Sequence, residues 1–577
     1  MAPPWLATDA PGGYVVHRRA GTPANAIWRL LALLLALTLV AAACGGDDDD
    51  DDAGTGGGDD TTDTTAAEDE GTPTPGGELV YGLEAETNGG YCLQEAQLAI
   101  SGIQVTRTIY DTLAAPNENG EIEPFLAESI EPNDDYTQWT ITPREGVTFH
   151  DGTPVDAQII ADNLNAYRGA FEGRSPALFI FVFLDVESIE ATPENTVVVT
   201  MKRPWVAFDW FLWGSSRVGI MGRSQLEADG TGCANDLVGT GPFMLDHWTV
   251  NQEFVAVKNP NYWLTDNDGN QLPYLDKITY RPIPEVAQRV NALESGQIDI
   301  MHTSDTEQLA QRLRPAAEDG EIEIIESDLF GEVNYTMLNV SVPPFDNKNA
   351  RLAVAQAMDT QLLIDVRGGG IGNLANGPFT EGVLGYTDDT GYPRYDLEAA
   401  KEAAAAYEAE TGQKLSFAYT YVTSESGTLT AQEIQTQMAE AGIDMTLAPA
   451  GDQATTINKA LAGEFQAVGW RNHPGADPDT QYNWWYEGSP VNFGRIADPE
   501  INRLLDEGRT NPENREETYI ELNRRFASEV YNVWGSWTTW AVAHKPDVHG
   551  VQGPTLPIGA NFPGLGTGHY VHGIWRS

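Results

Sequence analysis

The stretch Lys414–Trp470 constrains this 577-residue chain more than any other. Lys414–Val422 alternates apolar and polar side chains, the period of a half-buried strand. Thr430-Ala-Gln-Glu433 has capping-box spacing and opens a helix with Ile434, Met438 and Ala441 on one face, closed by Gly442. Ile443–Ala448 reads as a second strand, residues 453–461 as a second helix and Glu464–Trp470 as a third strand. A β-α-β-α-β order demands parallel strands joined by right-handed crossovers. In such sheets ligands collect beyond the carboxyl ends of the strands. Here that end is Trp470-Arg471-Asn472-His473, followed by 474–479 and by Tyr482, Trp484 and Trp485. A loop with these aromatics, one Arg and one His reads as a recognition surface. Trp484 and Trp485 fit two roles, covering the sheet end or facing a ligand. His473 likewise fits a satisfied loop position or a ligand contact.

Elsewhere the pattern is less regular. Glu78–Leu83 reads as the first strand. Trp139–Val155 reads as strand, turn at Pro143–Gly146, short strand and Asp151-Gly152 turn. Thr153-Pro154 then opens a helix through Ile159, Ile160 and Leu164. Val197–Met201 is a short buried strand. Phe254–Lys258 pairs with Lys277–Pro282, and a helix over Glu285–Ser295 is capped by Gly296. Gly239 and Gly241 mark close backbone turns and not a phosphate loop, since no Lys-Ser/Thr follows. Some 500 ordered residues exceed one core, so two or three domains are expected. No internal repeat is visible.

His17, Arg18, Arg19 and Arg29 precede the apolar run Leu30–Ala43. That run is shorter than the roughly 20 residues of a membrane-spanning helix and suits a signal peptide over 1–43. Cys44 directly follows Ala41-Ala42-Ala43, as in a lipobox, where the cysteine is diacylated. Ordinary cleavage near Ala43 is the alternative. Residues 44–77, with the run Asp47–Asp52 and almost nothing apolar, read as a disordered tether.

A formal charge of −52 argues against nucleic acid as a partner and against lying flat on anionic lipid. No Gly-x-Ser-x-Gly elbow, His-Glu-x-x-His or Cys positioned with His points to an enzyme. No cofactor or metal site is read. After Cys44 only Cys92 and Cys233 remain, and in an exported protein they suit a disulfide better than a metal site.

The Trp139–Val155 segment does not stand alone. In order along the chain come Ile109–Leu113, Glu123–Ser129, Gly239–Leu245, Asn259–Trp263, Ala292–Ile300, Asn339–Asp359 and Tyr395–Ala400. This series resembles the extracytoplasmic solute-binding proteins of the peptide/nickel ABC-importer family (family 5). The resemblance implies an α/β, two-lobed, periplasmic-binding-protein-like fold of type II with an extra inserted subdomain. Lobe I would comprise 78–111, 237–329 and 541–577, with residues 112–236 inserted, and lobe II would be 330–540. It implies a monomeric, lipid-anchored protein on the outer face of the cell membrane. That protein would capture a peptide or other small solute between its lobes and deliver it unaltered to permease subunits. A solute-sensing lipoprotein shares that fold and is the alternative; an extracellular hydrolase is the remote one. The implied topology sets the loop Glu84–Tyr91, with Asn88 and Tyr91, opposite Trp470 and Arg471. It also brings Cys92 and Cys233 beside the cleft as a disulfide. One departure stands out. Peptide-binding members carry an aspartate, three residues before the pair matching Asp477-Pro478, that anchors the free α-amino group; this chain has Pro474 there.

Overall fold

The computed structural model describes residues 71–577 apart from 88, 97, 177–178, 215–216, 328–331, 473–474, 476, 554 and 561–568. The expected signal segment, Cys44 and most of the tether therefore lie outside the described residues. So do Asn88, His473 and Pro474.

Two large sheets organise the chain. The first has seven strands in the order 323–327, 540–544, 300–303, 78–83, 277–282, 253–258 and 243–249. Glu78–Leu83 runs parallel to both Lys277–Pro282 and Ile300–Thr303, so three carboxyl ends point the same way. The second has six strands in the order 373–374, 532–537, 333–338, 467–472, 416–421 and 444–449. Ser416–Tyr421 lies parallel to Asp444–Pro449 on one side and Ala467–Asn472 on the other. The β-α-β-α-β reading thus describes half of a mixed sheet, since Val333–Leu338 is antiparallel to both its neighbours.

The chain crosses between the sheets twice. Glu323–Ser327 leads to Val333–Leu338, and Asn532–Trp537 leads back to Trp540–His544. The crossing strands are antiparallel partners in each sheet, and Thr538 N donates to Glu332 O at 2.7 Å between them. A separate four-stranded antiparallel sheet, in the order 127–132, 138–143, 197–201 and 186–191, comes from a segment inserted in the first lobe's sequence.

Two helix starts differ from the sequence reading. The helix expected from Thr430 begins at Glu425, because the Ser424 side chain accepts the Gly427 N–H and caps it there; the Thr430–Glu433 box lies within the helix. The helix expected from Thr153 begins at Ala157, capped by Asp156, because Pro154 instead bridges back to Thr148.

Four of the segments that carry the family resemblance, Ile109–Leu113, Trp139–Val155, Gly239–Leu245 and Asn259–Trp263, meet in the first lobe. The Asp111 carboxylate accepts from Thr240 Oγ1 at 2.9 Å, Trp263 Nε1 at 2.9 Å and Tyr262 OH at 3.2 Å. A methyl on Gly239 would stand 1.9 Å from Ile109 O, so only glycine allows this approach. His150 packs on the same turn, bonding Gly239 N at 3.2 Å and Gly241 O at 3.0 Å. These motifs build a junction in the protein interior and do not line the cleft.

Candidate functional site: a cleft between two sheet ends

The carboxyl ends of the parallel strands in both sheets open onto one cavity of about 1510 Å³. From the first lobe come Glu84 and Ser304, each just beyond a strand, and Pro282, the last residue of one. From the second come Thr423, Asp452, Trp470 and Arg471. Glu332, Trp537 and Thr538 at the crossings complete its floor.

Arg471 reaches across the cleft. It donates to Glu84 Oε1 at 3.0 Å and to Ser304 Oγ, and its Nε lies 3.8 Å from Glu332 Oε2. Its guanidinium also sits over the Trp540 ring, 5.3 Å from the centroid. Burial pushes the Glu84 carboxyl up, but the Arg471 guanidinium, with Arg289, more than offsets this and holds it below the usual range. Burial drives the Glu332 carboxyl upward, and Arg471 only partly opposes it. Arg471 thus lowers both acids, outweighing burial at Glu84, which it touches more closely, and not at Glu332. Burial lowers His302 to about 4, so a neutral ring packs beneath Glu84.

The aromatic wall comes from Trp470 and Trp484, both half-buried against Phe493, with ring centroids 5.4 and 5.7 Å away. Trp485 does not join it. Adjacent residues on a helical turn point about 100° apart, so Trp485 faces inward, 4.6 Å from the Phe526 ring, and is 3% exposed. Tyr91 also lies off the cleft. Cys92 and Cys233 are joined as a disulfide, and Tyr91 N donates to Ala234 O at 2.9 Å. This draws the Tyr91 ring inward between Trp248 and Phe254. The loop instead presents Glu84, Glu86 and Thr87 to the cavity.

The loop after Trp470 spends its acids on structure. Asp477 takes a two-pronged contact from Arg515 at 2.7 and 2.6 Å. Asp479, fully buried, accepts from Arg509 Nε at 2.9 Å and Trp205 Nε1 at 2.6 Å. Arg509 reaches Asp185 at 3.0 Å and Arg203 reaches Asp506 at 2.6 Å, so the inserted segment is tied to the second lobe at the rim.

Sequence reasoning missed Ser304, Glu332, Arg217 and Arg289 as cleft residues. Ser304 was legible as the first residue after a parallel strand; the others reach the cleft only through tertiary packing. Among the described residues, no group of three or more His, Cys, Asp or Glu side chains could hold a metal ion. Nor is any described helix long and apolar enough to cross a membrane.

Known proteins share this arrangement. The sequence matches the family model of bacterial extracellular solute-binding proteins, family 5 (middle), over residues 121–493. It is 28% identical over 416 residues to the probable D,D-dipeptide-binding periplasmic protein DdpA of Escherichia coli K12, covering 70% of this chain and 77% of that one. The structure of AgaA from A. tumefaciens R10, in complex with agropinic acid, superposes with a TM-score of 0.76 at 26% identity, over 87% of this chain and 99% of that one. Helicobacter pylori DppA, solved with the peptide STSA, shares the fold with a TM-score of 0.76 at 22% identity, over 87% and 98%. With two lobes, two crossings and a cleft at the strand ends, the chain belongs to family 5 of the bacterial extracellular solute-binding proteins.

Proposed function

We propose that the protein captures a small polar solute or peptide between its lobes and delivers it unchanged to the permease of an ABC importer, held to the membrane through a lipid on Cys44. The cleft supports this reading most directly. Its 1510 Å³ exceeds the roughly 300–1,000 Å³ of ordinary small-ligand pockets. It combines the Trp470 and Trp484 wall with buried polar atoms that have no hydrogen-bond partner among the described residues, among them Asn483 Oδ1 and Trp537 Nε1. Such atoms are costly unless something bonds them. Arg471, on the second lobe, bonds Glu84 and Ser304 of the first, so a solute bound beside it favours the closed arrangement through differential contact.

DppA was solved with a peptide and AgaA with agropinic acid, and the loop chemistry bears on the choice. With Asp477 and Asp479 both held by arginines, and Pro474 in the sequence where peptide binders place their anchor, that loop offers no carboxylate for a free α-amino group. A solute other than an ordinary peptide fits this better.

Native mass spectrometry of protein purified without denaturation, followed by a thermal-shift screen of peptides, oligosaccharides and opines, tests the reading. A solute at a hundredfold excess over its Kd adds about 2.7 kcal/mol of stability. Trp470→Ala is expected to abolish that shift while leaving the ligand-free melting temperature near the wild-type value. An unchanged shift removes Trp470 from the site. Chemical conversion of the solute refutes the binding role.

A further inference from the structure

Two ion pairs meet where the inserted segment touches the second lobe, and each is complete on its own side. On the insert, Arg203 donates twice to Asp185, at 2.9 and 2.8 Å. On the second lobe, Arg509 donates to Asp479 at 2.9 Å, and Asp506 accepts from the Tyr482 and Tyr486 hydroxyls at 2.8 and 3.2 Å. Contacts between the sides are laid over these pairs. Arg203 reaches Asp506 at 2.6 Å and the Tyr482 oxygen at 3.0 Å. Arg509 Nη1 reaches Asp185 at 3.0 Å, and Trp205 Nε1 reaches Asp479 at 2.6 Å. The Arg509 guanidinium lies 4.3 Å from the Trp205 ring centroid and 3.7 Å from that of Tyr482.

The apolar groups on the two sides belong to different cores. Trp205 and Phe208 of the insert pack in one cluster with Tyr81 of the first lobe, whereas Tyr482 packs with Leu504 and Leu505 of the second. Insert and first lobe are thus one body, and the contact joins that body to the other lobe. Separating the sides strands no lone charge: Asp185 keeps Arg203, Asp479 keeps Arg509, and Asp506 keeps two hydroxyl donors. Desolvating paired charges costs about what their attraction returns, so such a contact closes with little net gain and reopens readily. Val182 and Phe211 on the insert, and Thr480 and Gln481 on the second lobe, line the cavity beside it. Asp185, Arg203, Asp506 and Arg509 themselves do not line the cavity.

We propose that this contact is a reversible clasp, through which the inserted segment holds the two lobes shut over a solute and sets how fast that solute leaves. This deepens the solute-capture reading above and rests on it. Because the clasp residues stand outside the cavity lining, they govern residence time and not the choice of solute. Arg203 and Asp506 are its adjustable part, since their side chains are 30% and 34% exposed, whereas Arg509 and Asp479 are buried.

The test uses the mature chain with Asp506→Arg, which sets a cation against Arg203 and leaves Asp185 and Asp479 with their own arginines. Spin labels at two exposed positions, Glu190→Cys on the insert and Glu516→Cys on the second lobe, report the separation of the sides without solute. Asp506→Arg is expected to shift the label distances toward longer values, and Asp506→Asn to do so less. Salt at about 1 M, which shortens screening to about 3 Å, is expected to bring Asp506→Arg back toward wild type. Binding is then followed with whichever peptide, oligosaccharide or opine of the screening panel stabilises wild type most. Asp506→Arg is expected to raise the off-rate about tenfold, as loss of a charged hydrogen bond does, and to keep the on-rate within about threefold. The ranking of panel members stays as in wild type. Unchanged label distances and off-rate overturn the proposal, as does a changed ranking. A lower ligand-free melting temperature with unchanged label distances also overturns it, since that marks the contact as permanent packing. If no probe stabilises wild type and no solute co-purifies, the capture reading fails, while the label distances still decide whether the contact opens.

Discussion

Two of the buried polar assemblies among the described residues are built differently. Around Asp111, both carboxylate oxygens are taken by donors from Thr240, Tyr262 and Trp263, all supplied by the first lobe. Around Arg471, which the second lobe supplies, the partners come from the first lobe and from a crossing, and among the described residues Glu332 Oε2 has no hydrogen-bond donor. A satisfied network within one body stabilises and specifies that body. A network shared between bodies, with atoms unspent, couples their relative position to whatever enters between them. The contrast explains why the segments around Asp111, Gly239 and Trp263 sit away from the cleft: they hold one lobe together.

The largest effect expected from this contrast is on stability at the Asp111 junction. Asp111→Leu strands three buried donors and is expected to cost about 4 kcal/mol in urea unfolding, at roughly 1–3 kcal/mol per orphaned group. Should that variant instead fold normally and lose solute binding, the division of roles between the two assemblies is wrong.

A pH series sharpens the same point. Burial, opposed in part by the three donors, raises the Asp111 carboxyl to about 6, against about 3.9 in the unfolded chain. Between those values the native protein keeps a proton that the unfolded chain has released, so this group's contribution to stability falls as pH rises from about 4 through about 6. Asp111→Asn carries no such proton. Its stability relative to wild type is expected to rise by roughly 2–3 kcal/mol between pH 4 and pH 7. A flat difference would mean that Asp111 is ionised throughout the range.

Arg471→Leu is expected to have a smaller effect on stability and a larger one on shape. It leaves Glu84 and Glu332 without their cation, but the Arg471 side chain keeps 25% of its exposure. The cost is therefore about 2 kcal/mol, below the 3–5 of a fully buried pair. Small-angle scattering of the ligand-free variant is expected to show a larger radius of gyration than wild type. An unchanged profile would mean that the bonds to Glu84 and Ser304 do not hold the lobes together.

Much of the cleft was legible from strand order. Trp470, Arg471 and Trp484 line it because carboxyl ends of parallel strands face outward from a sheet, and that direction follows from the β-α-β-α-β pattern. Trp485 and Tyr91 were read as cleft residues and are core residues. In the first case one position along a helical turn separates wall from interior; in the second a disulfide to Cys233 turns the loop inward. The early helix start at Glu425 has a local cause, a Ser424 cap that competes with a later capping box.

Local order and burial were within reach of the sequence alone. Periodicity, turn glycines and the run from Lys414 to Trp470 specify which segments pair and which faces turn inward, since these depend on neighbours a few residues apart. Which charges share a cavity was decided only by the tertiary structure. Glu84, Arg217, Glu332 and Arg471 are separated by up to 387 positions, and Coulomb interactions act through space, strengthening where water is excluded. No spacing along the chain encodes that three guanidinium groups would face two carboxylates on one floor.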